Sequence, residues 1–122
     1  MQYMLLIYER PEDFDGRTKD KTVPYVAAWR AYHRALVEAG AYVGGCPLQP
    51  VASATTMRVK DGKHHVQDGP YADTKEQLGG VVILELPSLD AALAWAARCP
   101  ASAYGAVEVR PLDPGMHDAV VT

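Results

Sequence analysis

Gln2-Tyr3-Met4-Leu5-Leu6-Ile7-Tyr8 opens the chain, and how this stretch is read decides the fold. Successive side chains of a β-strand point to opposite faces. Tyr3, Leu5 and Ile7 make one apolar face, and Met4, Leu6 and Tyr8 make the other. A strand apolar on both faces is covered on both sides. Val81 to Leu86 repeats the pattern, broken only by Glu85. The chain therefore needs a sheet with both faces buried.

Working outward, residues 9–21 are charged, contain Pro11 and Gly16, and read as an exposed loop. Residues 23–39 form a helix, with Thr22 as N-cap and Pro24 in the first turn. Val26, Trp29, Leu36 and Val37 share its apolar stripe with His33, and Gly40 ends it. A short strand over 41–46 leads into the Pro47–Pro50 connection. Residues 55–60 and 63–67 form a hairpin around Asp61-Gly62, a strong two-residue turn signal. After 81–86, Ser88 caps a second helix over 89–99, with Leu89, Ala92, Leu93 and Ala96 inward and Pro100 as its stop. Residues 105–110 are the last strand, and 113–122 read as an extended, loosely held tail. With the hairpin as an insertion, the order is β-α-β-β-α-β, an α+β ferredoxin-like pattern. Two helices cover only one sheet face. The other apolar face predicts a homodimer, with sheets packed together or joined into a dimeric α/β barrel.

With 122 residues the chain is one domain, expected over 1–112. A net charge of −3 and a pI near 5.7 argue against nucleic acid and against charge-driven membrane binding. No apolar run spans a bilayer, and the opening strand has no basic segment before it, so no secretory signal is expected. Cys46 and Cys99 make no C-x-x-C pair, which fits a reducing cytoplasm and two small hydrophobes.

The chemistry concentrates in Asp68-Gly69-Pro70-Tyr71-Ala72-Asp73-Thr74-Lys75-Glu76-Gln77-Leu78-Gly79-Gly80. So long and polar a connection between apolar segments is a binding or catalytic loop, or an elaborate turn. Asp68 suits the first position of a turn, and Gly69 precedes Pro70. Thr74 to Gln77 matches a capping box, as do Asp73 and Glu76, which predicts one helical turn ending at Gly79 or Gly80. The N-terminus of that turn would favour an anion. Tyr71, Lys75 and the acids not engaged in capping are left for chemistry.

Elsewhere, His33 reads as a general base or as a hydrogen-bonded buried histidine. His64 and His65 point to opposite faces of one strand and cannot chelate one metal together. No histidine pair has metal-ligand spacing, and there is no phosphate loop and no nucleophile elbow. Neither metal nor cofactor is expected. Glu108 and Arg110 share a face of the last strand.

The 68–80 run resembles the signature of the DGPF-domain family of the YCII-related group, Asp-Gly-Pro-Phe-Ala-Glu-Thr-Lys-Glu-Gln-Leu-Gly-Gly, with Tyr71 for Phe and Asp73 for Glu. The opening Tyr3 to Tyr8, Gly44-Gly45 with Leu48-Gln49-Pro50, and Val107 to Pro111 match as well. The resemblance implies a ferredoxin-like fold that dimerises into an α/β barrel. In YCII-related proteins a His on the first helix and an Asp just after the second are the proposed pair at the dimer cleft. The matching positions here hold Trp29 and Cys99-Pro100, so neither residue type is kept. The resemblance also implies a link to extracytoplasmic-function sigma factors, and hence a regulatory or accessory role.

Three functions follow. The first is a cytoplasmic dimer binding a small polar or anionic molecule in a cleft lined by the 68–80 loop. In that reading Asp68 or Asp73 is the base and Tyr71 or His33 the proton partner, with Tyr8, Lys75, Glu76 and Arg110 as ligand contacts. The second is a regulator that binds a sigma factor. The third is a loop that only completes the dimer.

Overall fold

A computed structural model describes residues 1–122. The strands are β1 (Gln2–Glu9), β2 (Tyr42–Pro47), β3 (Thr55–Lys60), β4 (Lys63–Asp68), β5 (Gln77–Glu85) and β6 (Ala106–Pro111). The helices are α1 (Pro11–Lys19), α2 (Pro24–Glu38), α3 (Leu89–Arg98) and α4 (Pro114–Val121). β2-β5-β1-β6 form one antiparallel four-stranded sheet, and β3-β4 a separate ribbon. Without the ribbon, α1 and α4, this is the ferredoxin-like β-α-β-β-α-β order expected from the strand patterns. No helix is long and apolar enough to cross a membrane.

The period-2 burial of β1 is as read. Tyr3, Leu5 and Ile7 are buried beneath the helices, while Met4, Leu6 and Tyr8 face the other way and stay partly exposed. Leu84 of β5, Leu86 just after it, Tyr32 and Leu36 of α2, and Ala92 and Ala96 of α3 complete the core. The Tyr32 hydroxyl donates to the Trp95 carbonyl at 2.7 Å, which ties α2 to α3. α2 ends in a Schellman motif: Gly40 adopts φ +70°, its N–H bonds the Val37 carbonyl, and that of Ala41 bonds Leu36. Asp61 and Gly62 both take positive φ, the turn the hairpin needs.

Several expectations fail. The 9–21 loop contains α1, because Pro11 starts a helix, Glu12 and Asp13 suit its first turn, and Arg17 and Lys19 its last. Phe14 is its one buried residue, too little to make a periodic pattern. Thr22 is not a cap. Val23 holds that position without a side-chain bond, and Thr22 bonds Asp20 instead. The capping box makes no helical turn, since Gln77 already starts β5 and the Thr74 hydroxyl bonds the Glu76 carbonyl. Leu89 and Leu93 are exposed, and the inward face of α3 is alanine. The tail is helical from Pro114, with Asp113 accepting the Met116 N–H at 2.9 Å.

Candidate functional site

On β1 the inward register runs one step past the apolar core. Glu9 follows Tyr3, Leu5 and Ile7 on the same face, and it is only 3% exposed. A carboxyl removed from water must be paired or protonated. Its partners come from the two segments that follow. The Tyr25 hydroxyl on α2 donates to Glu9 Oε2 at 2.7 Å. Arg17 Nε on α1 lies 3.3 Å from Glu9 Oε1. Arg17 is held in place by its Nη2, which donates to the Leu48 and Gly79 carbonyls at 2.8 and 3.0 Å, and by the Phe14 ring 4.2 Å beneath its guanidinium. Its Nε is buried yet makes no hydrogen bond, so the contact with Glu9 is ionic and one N–H is spare.

The signature glycines make room for this carboxyl. Ile7 pairs with Gly80 and Tyr8 with Leu78, which leaves Gly79 as the extra residue of a β-bulge. A Cβ on Gly79 would sit 1.7 Å from Glu9 Oε1. Burial holds the Glu9 pKa above the usual carboxylate value, against the Tyr25 hydrogen bond and the Arg17 charge, both of which lower it. Burial likewise raises the Tyr25 phenol, which stays protonated as a donor.

From Glu9 a cavity of about 520 Å³ opens between α2 and the β2-β5 edge of the sheet. Trp29 and His33 of α2 line one side, and Gly45, Gly79 and Gly80 line the other. His33 meets the Tyr42 ring edge-on at 4.6 Å. A carboxyl that carries its own phenol donor at the end of such a cavity can give a proton to a bound molecule or take one from it. No three His, Cys, Asp or Glu side chains converge on a point that could hold a metal ion.

Of the candidate catalytic and ligand-contact residues, His33 lines this cavity, as do Trp29, at the position of the family's His, and Gly79 and Gly80 of the signature. Asp68, Tyr71, Asp73 and Lys75 are exposed and Glu76 is half-buried. Tyr71 stands 77% in solvent with the Arg58 guanidinium 5.1 Å from its ring centre. The turn at Asp68 is held by other groups: the Gly69 N–H bonds the Ala54 carbonyl, and the Thr56 hydroxyl bonds the Gly69 carbonyl. Tyr8 and Arg110 share the uncovered sheet face with Glu108, which accepts from Tyr8 at 3.4 Å and from Arg110 at 2.5 Å. Glu9, Arg17 and Tyr25 escaped the sequence reading. Glu9 carried a signal, an acid on the inward register of an apolar strand. Arg17 carries none, since the charged 9–21 stretch has the pattern of a loop.

An antiparallel sheet with helices on one face and a charged cavity beneath one of them defines the class, an α+β ferredoxin-like protein. The match to the YCII-related domain over residues 1–114 goes further, and the chain belongs to that family. It is 35% identical over 114 residues to an uncharacterised protein of Rhizobium meliloti (strain 1021), covering 92% of each chain. Among solved structures it resembles 5-chloro-2-hydroxyhydroquinone dehydrochlorinase (TftG) from Burkholderia phenoliruptrix AC1100, in complex with 2,5-dihydroxybenzoquinone. The TM-score is 0.54 at 21% identity, covering 96% of this chain and 98% of that one. At that identity the likeness speaks for the fold.

Proposed function

We propose that this chain binds a small organic molecule in the Glu9 cavity, as one half of a homodimer, and that Glu9 with Tyr25 exchanges a proton with it. The observation that carries the reading is the cavity of about 520 Å³ closing on a buried carboxyl. Sites of this size, mostly apolar with a few convergent polar groups, are what small ligands occupy. A small quinone bound to a protein of similar fold is in keeping with that use. The dimer is supported by Met4, Leu6, Val81 and Ile83, which lie on the sheet face that no helix covers. The acids of the 68–80 run are not needed in this reading.

A thermal-shift screen tests it, with 2,5-dihydroxybenzoquinone and a panel of small organic acids on wild type and His33→Ala. Compounds that raise the wild-type melting temperature and shift His33→Ala less support the cavity. A panel that shifts neither protein, or both equally, overturns it.

A further inference from the structure

The paired glycines Gly44-Gly45 and Gly79-Gly80 are too short for a phosphate loop, yet the fold brings them together. On the helix-covered side of β2 and β5, Gly45 sits opposite Val82 and Gly80 opposite Pro47. A Cβ at Gly45 would stand 2.5 Å from the Val81 carbonyl oxygen, and one at Gly80 would stand 2.9 Å from that of Cys46. With Gly79 blocked by Glu9, these three positions stay bare. Beside the inward side chains of Ile7 and Val82, the cavity floor therefore carries a bare strip of peptide backbone. Facing it are the flat side chains of Trp29 and His33, the latter edge-on to Tyr42. A bare floor under an aromatic wall accepts a planar ring better than a branched chain.

The charge of the lining is one-sided. Arg17, Lys21 and Arg30 contribute three cations against the single carboxyl of Glu9. Glu9 is already engaged by Tyr25 and Arg17. Arg30 has no hydrogen bond or ion pair, and Lys21 bonds only the Arg17 carbonyl, at 2.8 Å. Arg17 Nε is buried with no hydrogen-bond acceptor. Lys21 and Arg30 are exposed at the rim of an apolar cavity, where their charge attracts an anion.

We infer that the ligand is a planar aromatic anion, its ring lying on the Gly45–Gly80 strip and its oxyanion facing Arg30 and Lys21. This rests on the cavity being the binding site, as proposed above. The experiment is isothermal calorimetry with three probes: 2-naphthoate, its uncharged analogue 2-naphthalenemethanol, and the non-planar anion cyclohexanecarboxylate. 2-Naphthoate is expected to bind about tenfold more tightly than either of the others, the gain of one charge-assisted contact or one stacked ring. Arg30→Gln, at an exposed position that leaves folding intact, should bring 2-naphthoate close to 2-naphthalenemethanol. Cyclohexanecarboxylate binding as tightly as 2-naphthoate would refute the planar ring, and an unchanged preference in Arg30→Gln would refute the anion contact. In both cases the probes still bind, so the cavity itself survives; it stands or falls by the thermal-shift screen of wild type and His33→Ala.

Discussion

Replacing Gly79 with alanine tests the link between the signature and the buried carboxyl. The new methyl would stand 1.7 Å from Glu9 Oε1, 2.7 Å from Cδ and 3.2 Å from Cγ. Ordinary contact needs about 3.5 Å, so the carboxyl must move by more than its hydrogen bond can stretch. The space open to it is the cavity it lines, and turning there carries it away from both partners. It gives up the 2.7 Å bond from Tyr25 and the 3.3 Å contact with Arg17. Losing a hydrogen bond to a buried acidic group costs about 1.5–3 kcal/mol, and stranding the Tyr25 hydroxyl adds about 1 kcal/mol or more. Alanine returns about 0.4–1 kcal/mol by restricting the unfolded chain. The net loss is about 2–3 kcal/mol, a large share of a small domain's stability. Urea unfolding of wild type, Gly79→Ala, Glu9→Ala and the double variant measures it. Without the Glu9 carboxyl the methyl has space, and Gly79→Ala should cost less than about 0.5 kcal/mol, a coupling of about 2 kcal/mol. Equal costs in both backgrounds would mean that Gly79 serves the bulge backbone alone, and the account of the site would fall.

Three further outcomes follow. In the fold Glu9 binds its proton more tightly than in the unfolded chain, so its stabilising contribution is complete below pH 4.5 and is lost as pH rises through the folded value. Wild type should therefore lose stability relative to Glu9→Gln over that window, by up to about 1.4 kcal/mol per pH unit, and a pH-independent difference in chemical denaturation would contradict the burial argument. Cys99 is 2% exposed with its thiol pushed up to about 11, whereas Cys46 is exposed. A thiol-reagent titration should find one fast cysteine and one that reacts only on unfolding, and equal rates would contradict the packing of Cys99. Leu6→Glu places a charge on the uncovered sheet face; sedimentation should show a dimeric wild type and a monomeric variant, and a monomeric wild type at tens of micromolar would remove the dimer.

Elements defined by buried side chains or obligatory backbone geometry were legible. β1 is one, because its alternation survives in the burial of Tyr3, Leu5 and Ile7. The end of α2 is another, because Gly40 must adopt a positive φ there. The Asp61-Gly62 turn and the Ser88 cap, which accepts the Ala91 N–H, belong with them. What failed was structure resting on weak local preference. α1 buries Phe14 and little else, so its charges looked like a loop. Thr74 to Gln77 satisfies the pattern of a capping box, but residues 77–85 pair along the length of β1, and ladder hydrogen bonds outweigh one helical turn.

The same contrast separates the 68–80 run from the cavity. Residues 68–80 are dense in acids and amides, and density of polar groups is what an exposed connection has in any case. The side chains of Asp68, Tyr71, Asp73 and Lys75 are solvated, and solvation leaves little reason for unusual chemistry. Glu9 is a single acid in an apolar strand, and an inward acid demands compensation wherever it occurs. Its demand accounts for Tyr25, for Arg17, for the bulge, and for a glycine where any side chain would collide with the carboxyl. The signature therefore contributes to the cavity through its last residues, Gly79 and Gly80, by what they omit. An acid on the core register of a strand, facing a glycine on the neighbouring strand with no room for a side chain, is a sharper sign of a buried charge than a run of acids in a turn.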